Sequence, residues 1–206
     1  VGLGWVISNE AFFEPLTNVI QYLKVRGTWG QVGNSQISGR RFAYLATVTD
    51  SGSTSYTFGK NMDQNYGTTA IDEYAVDVTW EVADKTDIGV DMRLLNNKLN
   101  LQFDYFKESR EGIYLRRSSI PSYVGMINNP YGNIGKVENK GFELSVNYAN
   151  SWGGDWSLSL MGNYSFNRNK VLEDDSTVVY PWQNTIGNKV GQRFGLVALG
   201  LFESYG

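Results

Sequence analysis

The 206-residue chain contains no cysteine and no histidine. Their absence excludes disulfides, thiol chemistry, Cys/His zinc sites, haem-type ligation and Ser-His-Asp catalysis. Proline is scarce, at 4 residues. No run of about 18 apolar residues occurs, so no transmembrane helix is expected. Basic residues, 18 in all, are scattered and outnumbered by 21 acidic ones, giving a net charge of −3. That is no basic nucleic-acid footprint. No secretory leader is visible, because Val1-Gly2-Leu3-Gly4-Trp5 already alternates like a strand. The chain is therefore expected to be a piece of something longer.

What remains is a β composition. Aromatics make up 14% of the chain, glycine numbers 23, and Thr, Val, Tyr and Asn are frequent. At 23.1 kDa the chain can form one sizeable domain. Period-two alternation is clearest at residues 142–149, where Phe142, Leu144, Val146 and Tyr148 share one face. Glu143, Ser145, Asn147 and Ala149 share the other. Seven strands are expected, at residues 1–8, 22–33, 76–95, 98–116, 130–150, 156–171 and 192–204. A helical turn broken at Pro15 is expected in the connector at 9–20, and an extra hairpin from 41–48 and 55–59. Asn96-Asn97 reads as a two-residue reversing turn.

Connections alternate between short and long, as in outer-membrane barrels with tight turns at one end and longer loops at the other. Ten residues at roughly 3.3 Å rise and roughly 45° tilt span about 23 Å, close to the apolar band of such barrels. A soluble β-sandwich produces the same alternation, and the pattern alone leaves it open.

Several motifs have bland readings. Gly132-x-x-Gly135-Lys136 lacks the spacing and hydroxyl of a phosphate loop and reads as a turn. Glu173-Asp174-Asp175 lacks calcium-loop spacing and reads as a solvated acidic loop. Asn163-Tyr164-Ser165 is a chance sequon inside a strand. Asp87, Asp91 and Asp104, with Lys24, Arg26 and Arg93, fall on polar strand faces, as a hydrated wall with cross-strand ion pairs requires. Trp29, Tyr105, Trp152, Trp156 and Tyr164 are expected towards strand ends, where amphipathic rings favour a membrane–water boundary. Tyr123, Tyr131, Tyr180 and Trp182 lie on loops and are the candidate ligand contacts.

Six segments in order, GWVISNEAFF (4–13), LKVRGTWGQVGN (23–34), WEVADKTDIGVDMRLLNNKLNLQFDYF (80–106), NIGKVENKGFELSVNY (133–148), YSFNRNKV (164–171) and VGQRFG (190–195), closely resemble the SusC/RagA family of TonB-linked outer-membrane proteins. The resemblance implies an all-β fold, an antiparallel up-and-down transmembrane β-barrel segment. Residues 1–206 would be about seven strands of the family's 22-stranded barrel, without counterparts of its plug, TonB-contacting segment or closing strand. It further implies TonB-dependent import of oligosaccharides or peptides across the outer membrane of a Gram-negative bacterium, with a SusD-like surface lipoprotein as partner. No enzyme activity, cofactor, metal or nucleic acid is implied. The alternatives are a soluble carbohydrate-binding β-sandwich and a passive porin-like channel.

Overall fold

The computed structural model describes residues 1–35, 42–49, 55–62, 64–67, 70–124 and 126–200. Six strands form one antiparallel sheet: β1 (Gly2–Val6), β2 (Ile20–Asn34), β7 (Glu81–Leu94), β8 (Leu99–Arg116), β9 (Tyr131–Trp152) and β10 (Trp156–Glu173). Their spatial order, β1-β2-β7-β8-β9-β10, is also their chain order. This is an up-and-down meander. Between β2 and β7 the chain makes an excursion with two small ladders. In it β3 (Thr47–Thr49) pairs with β6 (Ala70–Glu73), and β4 (Ser55–Phe58) with β5 (Gln64–Gly67).

The short connections all lie at one end. Ile7–Asn9 and Ala11–Leu16 are 3-10 turns between β1 and β2. The second contains Pro15, tolerated because the closing bonds, Phe13 N to Glu10 O and Thr17 N to Glu14 O, do not need its missing N–H. At the β7–β8 reversal Asn96 and Asn97 have φ of 56° and 63°. Lys98 N donates to Leu95 O at 3.3 Å across them. Asn tolerates this left-handed region through its short polar side chain. The Gln21 amide also clamps the turn, accepting from Asn96 N at 3.0 Å. Gly153 and Gly154, with φ of 61° and 84°, turn β9 into β10. Long connections leave the other end, at residues 35–80, 117–130 and from 174 onward.

Two expectations are corrected. Residues 192–200 form no strand, and 201–204 lie outside the described residues. Leu196 and Leu199 are fully exposed there, and among the described residues no neighbouring strand supplies a ladder. The segments at 41–48 and 55–59 do not pair with each other. Ser55–Phe58 takes Gln64–Gly67, the next segment along the chain, and Thr47–Thr49 pairs past that hairpin with Ala70–Glu73.

Among the described residues the sheet has no second layer to make a core. Among the described residues the buried apolar side chains are Phe13, Ala43, Ala83 and Tyr114. The accessible surface is 15,888 Å², against about 9,700 Å² for a compact monomer of this mass. Apolar side chains are nevertheless sorted onto one face. One transverse row runs Leu3–Gly27–Ile88–Tyr105–Phe142–Phe166, and the next Trp5–Val25–Val90–Phe103–Leu144–Tyr164. Phe142 lies 5.7 to 6.1 Å, centroid to centroid, from Phe103, Tyr164 and Phe166. Aromatic contacts thus knit this face together while leaving it exposed.

Candidate functional site

The opposite face carries charge at the same height. Register places Gly4, Arg26, Gly89, Asp104, Glu143 and Ser165 in one row across all six strands. Arg26 is its hub. Its Nη1 donates to Asp87 Oδ1 at 3.1 Å, its Nε lies 3.5 Å from Asp91 Oδ2, and its Nη2 binds Asp104 Oδ1. Gln102 Nε2 holds the second Asp104 oxygen at 3.2 Å. A planar guanidinium with five donors suits such a three-carboxylate seat, which a lysine could not fill. Gly89 makes the space: a Cβ there would lie 2.5 Å from Arg26 Cζ.

The other expected cations stand apart from the hub. Lys24 lies along the β1 edge, its Cε 3.1 Å from where a Gly4 Cβ would be. Arg93 stacks over the Tyr22 ring at 4.9 Å.

Beyond the apolar rows, at the long-loop end, the strands continue as a charged collar. Arg110 bridges Glu81 and Glu108 at 3.0 and 2.6 Å, and Lys85 reaches Glu108 at 3.5 Å. Burial pulls the Glu108 carboxyl upward, but the Arg110 hydrogen bond and the charges of Lys85 and Arg110 outweigh it and hold Glu108 below its ordinary value. Lys107 holds Glu138 down in the same way, through a hydrogen bond, at 3.0 Å. Gly112, with φ of 69°, forms a bulge in β8. Asn133 stitches it, donating through Nδ2 to Gly112 O at 2.7 Å and Thr79 O at 2.9 Å. Nothing in the local sequence marks Asn133 for that role.

A polar groove of about 620 Å³ opens at this rim between Glu111, Asn133, Lys136, Glu173, Asp174 and Asp175. Lys136 pairs with Glu111 at 2.5 Å. The acidic run fastens loops: Asp174 Oδ2 accepts from Thr185 Oγ1 at 2.7 Å, and Asp175 Oδ2 from Ser119 Oγ at 2.9 Å. Ser118 Oγ donates to the Asp175 carbonyl, and Thr177 Oγ1 to the Ser118 carbonyl at 2.7 Å.

The four candidate ligand aromatics fall into three settings. Tyr180 and Trp182 flank Pro181 and stack in parallel, centroids 4.6 Å apart, both half exposed or more. Tyr123 is 88% exposed on a short 3-10 turn, Ser122–Val124. Tyr131 opens β9 and stacks on Tyr114 at 5.2 Å, so one of its ring faces is occupied. The boundary aromatics also separate. Trp29 shares a row with Thr86, Lys107, Lys140 and Arg168, immediately above the apolar rows. Tyr105 sits one row in from Trp29, and Trp152 and Trp156 pair at the opposite end. Tyr164 does not lie at a strand end; it is two rows inside the band.

The model of the family described as TonB dependent receptor-like, beta-barrel, matches residues 1–198. The chain belongs to that family. It is 31% identical over 172 residues to TonB-dependent receptor P3 of Formosa agariphila, covering 83% of this chain and 16% of that protein. It is likewise 31% identical over 182 residues to TonB-dependent receptor SusC of Bacteroides thetaiotaomicron, covering 85% of this chain and 17% of the relative. The chain therefore spans less than a fifth of the length of these relatives. Among solved structures, the RagAB peptide importer in its closed-closed state aligns with a TM-score of 0.66 at 21% identity, over 91% of this chain and 20% of that one. That likeness concerns the fold: a TonB-dependent receptor barrel wall, antiparallel, with unlike faces.

Proposed function

We propose that this chain is wall and outer rim of an outer-membrane, TonB-dependent importer of large nutrients, oligosaccharides or peptides. One observation carries the reading, the outward band on β9 and β10. It runs from Phe142 and Phe166 to Trp152 and Trp156, ten residue steps along each strand, and the row above it is Lys140 and Arg168. Ten residues correspond to about 23 Å at a 45° tilt, the height of a barrel's apolar band. With lipid on that face, the exposed aromatics need no protein cover. The Arg26 row then faces an aqueous lumen, where a salt-bridged polar wall is at home.

In this reading the long connections are external, and Gly132 and Gly135 lie at the external rim. Residues 1–206 supply part of the barrel, while plug and TonB-contacting segments belong to other parts of a longer protein. A SusD-like lipoprotein covers the mouth. Ligand captured there contacts the rim loops, foremost the Tyr180–Trp182 pair and Tyr123, with Tyr131 behind them. Passage follows when TonB-transmitted energy displaces the plug, so the work of this chain is containment and guidance rather than chemistry. A soluble β-sandwich is not favoured, because no second sheet covers the apolar face among the described residues.

The test is nutrient uptake by cells carrying the intact gene, with and without TonB. Uptake that needs both the protein and TonB supports the importer. TonB-independent uptake makes the protein a passive channel, and recovery in the soluble fraction without detergent overturns the membrane reading.

A further inference from the structure

A second charged cavity lies on the outward face of the sheet rather than in the lumen. It encloses about 460 Å³, and its lining includes Glu138, Lys140, Arg168, Lys170, Asn188 and Lys189. Lys140 is paired across the ladder with Arg168, and Glu138 with Lys170, so these four make a compact block on β9 and β10. Three bonds strap the following loop to the β10 edge and bring Lys189 to the block. Gly187 N donates to Val171 O at 2.8 Å, Val171 N to Asn188 O at 2.9 Å, and Val190 N to Asn169 Oδ1 at 2.9 Å.

Charge in this cavity is unbalanced. Glu138 is shared between Lys107 at 3.0 Å and Lys140 at 3.5 Å. Among the described residues of the lining it is the one carboxylate, against four cationic side chains. The next outward row down is Phe142 and Phe166, followed by Leu144 and Tyr164. A basic cavity therefore sits one row, about 7 Å along the strand, above an exposed aromatic belt. A soluble anion uses only the first of these features; an anionic lipid uses both.

We propose that this cavity seats the phosphorylated headgroup of a lipid in the leaflet at the long-loop end, its acyl chains lying over Phe142, Tyr164, Phe166 and Leu160. The proposal rests on the reading of the sheet as an outer-membrane wall. It makes the β9–β10 rim a specific lipid contact as well as a rim for cargo.

The experiment uses the full-length protein purified in detergent, and native mass spectrometry to count bound lipid. The probe is a diphosphorylated, multiply acylated glucosamine disaccharide. The same lipid without phosphates and inorganic phosphate as competitor are the comparisons. Each basic side chain near an anionic headgroup is worth roughly fivefold in binding. The triple variant K140Q/R168Q/K170Q should therefore bind the diphosphorylated lipid about 100-fold more weakly. The charge-preserving K140R/R168K should bind like the wild type. Heat-modifiable gel migration checks folding; if the triple variant does not fold, K140Q and R168Q are read singly, each at about fivefold. Unchanged lipid binding in folded variants overturns the proposal. So does equal binding of the dephosphorylated lipid, which leaves only the belt. Displacement of the lipid by millimolar inorganic phosphate also overturns it, in favour of a soluble-anion site. Absence of the protein from the outer-membrane fraction defeats the importer reading instead, a result that lipid counting does not produce.

Discussion

Gly89 and Arg26 face each other across β2 and β7, and the guanidinium of Arg26 occupies the space a side chain at Gly89 would fill. Gly141 makes the instructive contrast. A Cβ there would collide with the backbone of β10, at the Phe166 carbonyl and 2.9 Å from Asn167 Cα, and with the Phe106 ring at 2.8 Å. Side-chain ends can swing away, whereas a paired strand cannot. G89A should therefore cost about 1 kcal/mol, mostly from a displaced ion pair. G141A should cost about 1–3 kcal/mol as an overpacking change. Urea unfolding of the full-length protein in micelles ranks the two; a G89A cost equal to or above that of G141A contradicts the packing assigned here.

The Arg26 hub predicts an asymmetric mutational response. R26M leaves Asp87, Asp91 and Asp104 facing one another without their shared cation. The side chains are partly exposed, so water offsets part of the loss, and about 1–3 kcal/mol is expected. Adding D104N should recover part of it by removing one of the three repelling charges. A double-mutant cycle in which the two changes simply add would show that Arg26 and Asp104 are not coupled.

Depth on the outward face sets the cost of charge. Val146 lies midway between the Lys140 row and Trp152. V146R should destabilise the inserted protein by about 2–4 kcal/mol. Its neighbour on the polar face tolerates the change: N147R should stay within about 0.5 kcal/mol. Refolding into lipid vesicles measures both. Equal costs at 146 and 147 would mean that the faces are not assigned as described.

The collar gives a pH dependence whose sign is fixed. Glu108 is held below its ordinary value of 4.5, so its stabilising share is fully present above that value. It is lost as pH falls through the lowered value, where the carboxyl gains a proton and Arg110 and Lys85 lose their partner. Stability measured downward from pH about 6 should therefore fall, and E108Q should flatten the lower part of the profile. A profile unchanged by E108Q contradicts the assignment.

Much of this architecture was legible in the residues. Phe142, Leu144, Val146 and Tyr148 announce both a strand and its two unlike faces, and Asn96-Asn97 announces the turn, because alternation and left-handed tolerance are local properties. The Arg26 hub was legible only as separate charges. Which of Lys24, Arg26 and Arg93 meets the aspartates depends on register across β2, β7 and β8, and on an empty Gly89. Asn133, bridging residue 79 and the bulge at Gly112, depends on two long-range contacts and has no local signature. Residues 192–200 carry an apolar run yet have no partner strand among the described residues, and pairing is not a property of one segment. Tyr131 resembles the other loop aromatics in sequence, and only the position of Tyr114 shows that half its ring is covered.

The central claim is that the face bearing Phe142, Leu144 and Val146 meets lipid while Glu143, Ser145 and Asn147 meet water. It is tested by spin labels placed one at a time on cysteines introduced at residues 142–148 of the full-length protein in lipid bilayers. These 206 residues contribute no cysteine of their own to interfere. Collision rates with lipid-soluble oxygen should peak at 142, 144, 146 and 148. Rates with a water-soluble nickel complex should peak at 143, 145 and 147, giving a period of two and opposite phases. Nickel accessibility that is uniformly high along the whole stretch, with no alternation, would contradict the account.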